Sequence, residues 1–259
     1  MVNYNYHTHT AFCGHATGEI AEYIQKAIES GIIHMGFSDH APYTFADDKA
    51  AGQRMTSTEA REYIATIRRL RELYKNKIDI KIGFEIEYYP DKFRDMLAFV
   101  KSIGAEYLIL GQHYMRGIFT GGYHVINGKA TDEDLINYVK DVIMAMESGA
   151  FTYVAHPDMI NYLGDETLYE KEMRKLCIAS KRTNTPLEIN CQGIREDRIY
   201  PAERFWKIAG EVGCPVTIGL DAHSADAAGD RESEEKSQKL INKYNLNYIG
   251  KPNLIFIEE

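Results

Sequence analysis

The stretch NYNYHTHTAFCGHA, residues 3–16, joins a short apolar run to an H-x-H pair and a polar turn, and its reading decides the fold. Asn3–Tyr6 has the brevity and near-continuous apolar character of a parallel strand covered on both faces. Thr17 is then placed to cap a helix over Gly18–Ser30, which stops at Gly31. The unit is a strand, a histidine-bearing end and a helix, and it recurs along the chain. His34–Ser38, Lys81–Glu87, Tyr107–Gln112, Phe151–Ala155, Pro186–Asn190 and Pro215–Leu220 read as further strands. Between them lie amphipathic segments such as TSTEAREYIATIRRLRELYKNK from Thr56, and TDEDLINYVKDVIMAMESG, which Thr131 opens and Gly149 ends. Pro90 and Pro201 suit the first turns of helices.

Seven βα units in series, without a Pro/Gly/Ser-rich linker or an internal repeat, predict an α/β fold in one domain over residues 1–259. A single closed barrel is the expectation, and a doubly wound open sheet the alternative. The long mixed loops Ala41–Met55 and Tyr114–Ala130 are expected over the barrel mouth.

Nine histidines are present, and seven fall at or just after a strand C-terminus: His7, His9, His15, His40, His113, His156 and His223. Glu85 lies in the third strand and Asp221 ends the seventh. In a parallel barrel all these ends meet on one face, where active sites are built. The strand period of two puts both imidazoles of H-x-H on one side, and D-x-H (Asp221, His223) repeats the device. One strand-end histidine is ordinarily a hydrogen-bonded rim residue. Seven with two carboxylates would be costly to desolvate unless cations organised them. Nitrogen and oxygen donors without thiolate suit zinc, manganese, iron or cobalt, and nine donors suit about three divalent ions with open positions. By contrast His34 precedes its strand and reads as structural, His124 as a solvated loop residue, Cys13 as an uninvolved thiol, Trp206 as core and the run RESEEK from Arg231 as a solvated helix face.

The bulk numbers agree. Hydrophobic residues make up 44% and charged residues 26% of 259, enough for a buried core. The formal net charge of -8 argues against nucleic acid, whose phosphates require clustered Lys and Arg. Four scattered cysteines without a C-x-x-C pair predict reduced thiols rather than a disulfide scaffold. The opening lacks a signal-peptide pattern and no run reaches the length of a membrane span, so a cytoplasmic protein without membrane partners is expected.

The set H-x-H, a further His, SDH, a strand Glu, GQH, HPD and D-A-H resembles the polymerase-and-histidinol-phosphatase (PHP) superfamily over nearly the whole chain. HTHTAFCGHA followed by GFSDHAPY looks most like the histidinol-phosphate phosphatases of histidine biosynthesis. The resemblance implies a distorted seven-stranded (β/α)7 barrel with its metal site at the strand C-terminal ends. It also implies an enzyme that takes a small phosphorylated metabolite, L-histidinol phosphate, and releases inorganic phosphate. It implies a first ion on His7, His9, Glu85 and Asp221, a second on a bridging Glu85 with His113 and His156, and a third on His15, His40 and His223. Asp39, beside His40, is expected to orient a ligand imidazole. The cations would activate water for attack at phosphorus and spread the developing charge, while Asp221 or His223 relays a proton to the leaving oxygen. Arg116 and Arg195 are expected to clamp the phosphate, with Arg54 and Arg198 behind them. Tyr114, Tyr123, Tyr162, Asp47 and Asp158 are available for the ammonium and imidazole of the substrate. Other phosphomonoesters, an amidohydrolase-type barrel and a catalytically idle metal-binding module are the competing readings.

Overall fold

The structure, a computed structural model, describes residues 2–43, 53–115 and 122–257. Parts of both long loops, with Asp47 and Arg116, lie outside the described residues.

The strands are short, parallel and buried. β1 (Tyr4–Asn5), β2 (His34–His40), β3 (Asp79–Ile86) and β4 (Tyr107–Leu110) pair in that order. β5 (Leu187–Asn190), β6 (Pro215–Gly219) and β7 (Asn247–Tyr248) form a second run. Val154 bridges both Leu110 and Leu187, and Thr8 bridges Ala222, so the parallel sheet curls until its last strands approach its first. The result is an α/β fold with helices packed around a curled sheet. The expected strands recur as β1–β6 with one exception. Phe151–Ala155 makes isolated bridges, although its backbone hydrogen-bonds on both sides: Ala155 N to Leu110 O at 2.8 Å and Glu188 N to Val154 O at 2.9 Å. A turn at His156, whose φ is +31°, ends the segment. β7, by contrast, was not anticipated; it is two residues long.

The helices follow from their caps. α1 (Ile20–Glu29) begins two residues later than expected. Thr17 is held to the rim by donating its N–H to His223 O at 3.0 Å, and Glu19 takes the cap, with Glu22 accepting its N–H at 2.8 Å. Thr56 and Thr131 cap α2 (Ser57–Tyr74) and α4 (Asp132–Glu147) through reciprocal boxes with Glu59 and Asp134. Pro90 opens α3 (Pro90–Ile103). Pro201 lies ahead of α7 (Glu203–Val212), which starts after Ala202 without a side-chain cap. α5 (Glu166–Thr183) and the short α6 (Cys191–Arg195) flank β5. In α8 (Arg231–Tyr244) the face expected to be solvated is partly buried: Ser233 and Glu234 are covered, and Glu234 accepts the Val2 N–H and pairs with Arg231. No described helix is long and apolar enough to cross a membrane.

Tyr107 occupies the sheet interior, donating its hydroxyl to Tyr6 O at 2.9 Å. It fits because Gly83 has no side chain: a Cβ there would lie 2.5 Å from Tyr107 O. Gly83→Ala is therefore expected to destabilise the fold by about 1–3 kcal/mol, the usual cost of overpacking. Chemical denaturation against the parent protein measures it; an unchanged midpoint would sink this account of the sheet interior.

Candidate metal centre

Register places the donors. β2 pairs with β3 so that His40 stands beside Glu85, and the H-x-H of β1 continues past the strand to bridge Ala222, between Asp221 and His223. All nine expected ligands consequently meet at the C-terminal ends of the strands. His7 Nε2 lies 3.4 Å from Asp221 Oδ1 and 3.6 Å from Glu85 Oε1. His9 Nε2 lies 3.3 Å from Asp221 Oδ1, 3.4 Å from Glu85 Oε2 and 3.2 Å from His7 Nε2. Glu85 Oε1 is also 3.2 Å from His113 Nε2 and 2.8 Å from His156 Nε2. On the other side His223 Nε2 is 2.9 Å from His15 Nε2, and the His15 and His40 rings stack at 5.4 Å.

The donors fit a cation. A tetrahedral ion with bonds of about 2.0–2.1 Å separates its ligand atoms by about 3.4 Å, which is the spacing found. Among the described residues Glu85 Oε2 and Asp221 Oδ1 are buried without a hydrogen-bond partner although imidazole nitrogens stand 3.1–3.4 Å away. Compact donor groups include His7–His9–Glu85, three of the four residues of the first expected set, and His15–His40–His223, the residues of the third. The second set is drawn differently: His113 groups with His40 and Glu85, and His156 with His7 and Asp221.

Three carboxylates orient the imidazoles from behind. Asp39 Oδ1 is 3.3 Å from His9 Nδ1. Glu188 Oε1 is 2.8 Å from His7 Nδ1, and Glu87 Oε1 is 2.9 Å from His113 Nδ1. Sequence reasoning passed over Glu188 and Glu87, yet the signal was there: Glu87 follows Glu85 by one strand period, and Glu188 is a charge inside the apolar run LEIN. Without cations this buried charge is balanced by protons. Burial opposes the charged form of His7, but Asp221, Glu188 and Glu85 hold it well above the ordinary imidazole range. Burial likewise opposes charge on His113, which Glu85 and Glu87 push up to about 9. Burial opposes ionisation of Glu85 and Asp221, yet the surrounding histidines keep both well below the carboxylate range. Burial and then His223 take His15 down to about 4.

All of the cluster but the buried His7 lines a cavity of about 420 Å³. Of the expected arginines, Arg195 does not line it. Its guanidinium instead donates to Asp221 O at 3.0 Å and Leu220 O at 3.4 Å and pairs with Asp230 at 3.0 Å, because α6 lays it along the β6 end rather than across the mouth. Arg198 lines the cavity, donating to Glu196 and to Tyr200 Oη at 3.1 Å. Arg54 is buried against Glu87. His124, expected in solvent, lines the cavity as well, and burial pushes its imidazole down to about 3. Of the residues expected to meet the substrate, Tyr123 and Tyr162 donate to Asp134 and Asp132. Asp158 is buried, its carboxyl pushed up to about 7 by burial, and accepts the Ala202 N–H.

The PHP domain family matches residues 5–192. A probable histidinol-phosphatase of Deinococcus radiodurans is 28% identical over 234 residues, 87% of this chain and 88% of its own. The histidinol-phosphatase of Bacillus subtilis is 23% identical over 260 residues, 86% of this chain and 94% of its own. Among solved structures, histidinol phosphate phosphatase of Lactococcus lactis complexed with zinc, L-histidinol and phosphate matches with a TM-score of 0.71. It is 19% identical, over 97% of this chain and 98% of that one. At that identity the likeness shows the shared fold.

Metal uptake must displace protons from His7, His9 and His113, since a ligand imidazole is neutral. These groups are held above the ordinary range without metal, so affinity is expected to rise with pH toward about 9 and the ions to be lost in acid. Calorimetric titration in buffers of differing ionisation enthalpy measures the released protons. Replacing Glu188 by Gln is expected to lower metal affinity about 10–100-fold; equal metal content after dialysis would remove its orienting role.

Proposed function

This chain belongs to the PHP domain family, and on that premise we propose that it is a metal-dependent phosphatase hydrolysing L-histidinol phosphate to L-histidinol and inorganic phosphate in histidine biosynthesis. The observation that carries the reading is the convergence of seven imidazoles and two carboxylates at cation spacing, of which all but the buried His7 line a substrate-sized cavity. The names of the relatives in Deinococcus and Bacillus, and the L-histidinol and phosphate bound in the Lactococcus structure, support the substrate. In this reading the fold is the distorted (β/α)7 barrel, its seven strands being β1–β6 and Phe151–Ala155, which lies between β4 and β5. Four free buried cysteines fit a reducing cytoplasm.

His7, His9, His15, His40, Glu85, His113, His156, Asp221 and His223 would hold about three divalent ions; the zinc of the Lactococcus structure supports zinc, and the donors equally fit manganese or iron. Bound there, the cations supply Lewis acidity that makes water nucleophilic near neutral pH and neutralises charge on the phosphoryl oxygens. The protein contributes the rest. Glu188, Glu87 and Asp39 fix the imidazoles so that no reorganisation accompanies the reaction. Arg198 offers the cavity a guanidinium for the phosphoryl oxygens, and Arg116 is the other candidate for that clamp. The alkoxide leaving group needs a proton, and Asp221 with His223, whose Oδ1 and Nδ1 lie 3.3 Å apart, would relay to it the proton that the attacking water gives up.

Metal-loaded protein is expected to release phosphate from L-histidinol phosphate, to stop on chelation and to resume with zinc or manganese. Turnover of p-nitrophenyl phosphate but not of L-histidinol phosphate would overturn the substrate. Asp221→Asn is expected to lower kcat about 10²–10⁴-fold, and Arg198→Ala to raise KM about tenfold; steady-state kinetics separate the two.

A further inference from the structure

Beside the cluster, the cavity has a second stretch of lining that the reaction at phosphorus does not use. It carries His124, Ile126, Asn127, Met159, Asp197 and Ile199. Three carboxylates line the cavity: Glu85, Asp221 and Asp197. The first two are enclosed by imidazoles. Asp197 makes no ion pair among the described residues, although Arg198 is its neighbour, because that guanidinium is drawn to Glu196 at 2.5 and 2.8 Å and to Tyr200. A turn after α6, with Asp197 at a φ of +50°, keeps the carboxylate at the mouth. It is exposed enough to be hydrated until a ligand arrives, and so incurs no burial penalty while free.

His124 is held on the same stretch by backbone pairing with the segment after β4: Val125 N donates to His113 O at 2.8 Å and Met115 N to Tyr123 O at 3.0 Å. Its ring centre stands 5.8 Å from that of His113. His124 Nδ1 accepts the Ile126 N–H at 3.3 Å, which fixes the tautomer: Nε2 carries the hydrogen and is a donor. Ile126, Met159 and Ile199 give the surroundings apolar faces suited to a flat ring.

We infer that this stretch is the leaving-group subsite, in which Asp197 accepts the substrate's ammonium and His124 Nε2–H donates to the unprotonated nitrogen of its heteroaromatic ring. The inference rests on the function proposed above and gives specificity to residues separate from the metal donors. A carboxylate for the amine and a neutral donor for the ring select a cationic amino alcohol with an acceptor ring over a sugar or nucleotide monoester. Either of those would bring hydroxyls or a second anion to Asp197.

The test is binding of L-histidinol to the metal-loaded protein by calorimetry, with inorganic phosphate titrated into the same samples to report the cluster side. Metal content and circular dichroism establish that each variant is folded and loaded. Asp197→Asn is expected to weaken L-histidinol binding about tenfold, the worth of one charged hydrogen bond. His124→Leu should weaken it about fivefold, and His124→Gln, which keeps a donor, should restore most of that loss. Phosphate affinity should follow the metal content in every sample. Equal L-histidinol affinity in the parent, Asp197→Asn and His124→Leu, or no affinity in the parent, overturns the subsite. If the parent binds L-histidinol through these residues yet leaves L-histidinol phosphate intact, the proposed reaction fails and the subsite stands.

Discussion

Three imidazoles of the cluster are each gripped from behind by a buried carboxylate: His7 by Glu188, His113 by Glu87 and His9 by Asp39. The remainder of the site depends on these contacts. A hydrogen bond to Nδ1 commits the ring's orientation and leaves Nε2 facing the common centre. The three acids cannot stand alone in an apolar interior, because an unpaired buried charge costs several kcal/mol. The imidazoles cannot crowd together unless something balances them. Each half is tolerable only with the other, and the inner carboxylates Glu85 and Asp221 complete the exchange between proton and cation.

The strand geometry makes such packing possible. Glu85 and Glu87 lie one strand period apart, so both point to the same face: one bridges the cluster and the other orients His113. Space for these carboxylates is made by missing side chains. A Cβ at Gly219 would stand 1.7 Å from Glu188 Oε1, and one at Gly111 would stand 2.0 Å from Glu85 Oε1. Neighbouring strands thus supply an acid on one and a gap on the next, and a parallel sheet curled on itself repeats the arrangement around its rim.

Most of this was legible in the chain because it rests on residue type and on period. H-x-H, D-x-H and the strand-end histidines are local patterns, and parallel strands bring local patterns to one face whatever the loops do. What escaped was set by tertiary direction. Arg195 and Arg198 are three residues apart after the same strand, yet the turn of α6 sends the first to the Asp221 carbonyl and lets the second reach the cavity. His124 read as solvated because it lies in a loop; the antiparallel backbone pairing with Tyr114 that holds it against the cavity leaves no pattern in the residue types. Phe151–Ala155 was recognisable as extended, but the positive φ at His156 that ends it has no sequence signal, since histidine there is chosen for its ring.

That backbone turn belongs with a second one, and together they explain why Glu188 and Arg195 matter beyond charge. His156 and Asp221, both donors of the cluster, hold φ values of +31° and +46°, a region where a side chain costs of order 1–3 kcal/mol. Such conformations persist only where surrounding contacts over-determine them. Glu188 Oε2 accepts the His156 N–H at 3.1 Å while its other oxygen orients His7. Arg195 donates to the Asp221 carbonyl while Asp230 anchors the guanidinium, and Asn190 Nδ2 holds Asp221 Oδ2 at 3.0 Å. An ordinary extended backbone would carry both side chains onward along their strands, away from the centre. Turning the main chain at these two points aims the side chains sideways into the cluster, so strain, anchoring bonds and cluster geometry form one arrangement, and the arginine first expected to hold phosphate instead holds the Asp221 backbone in place.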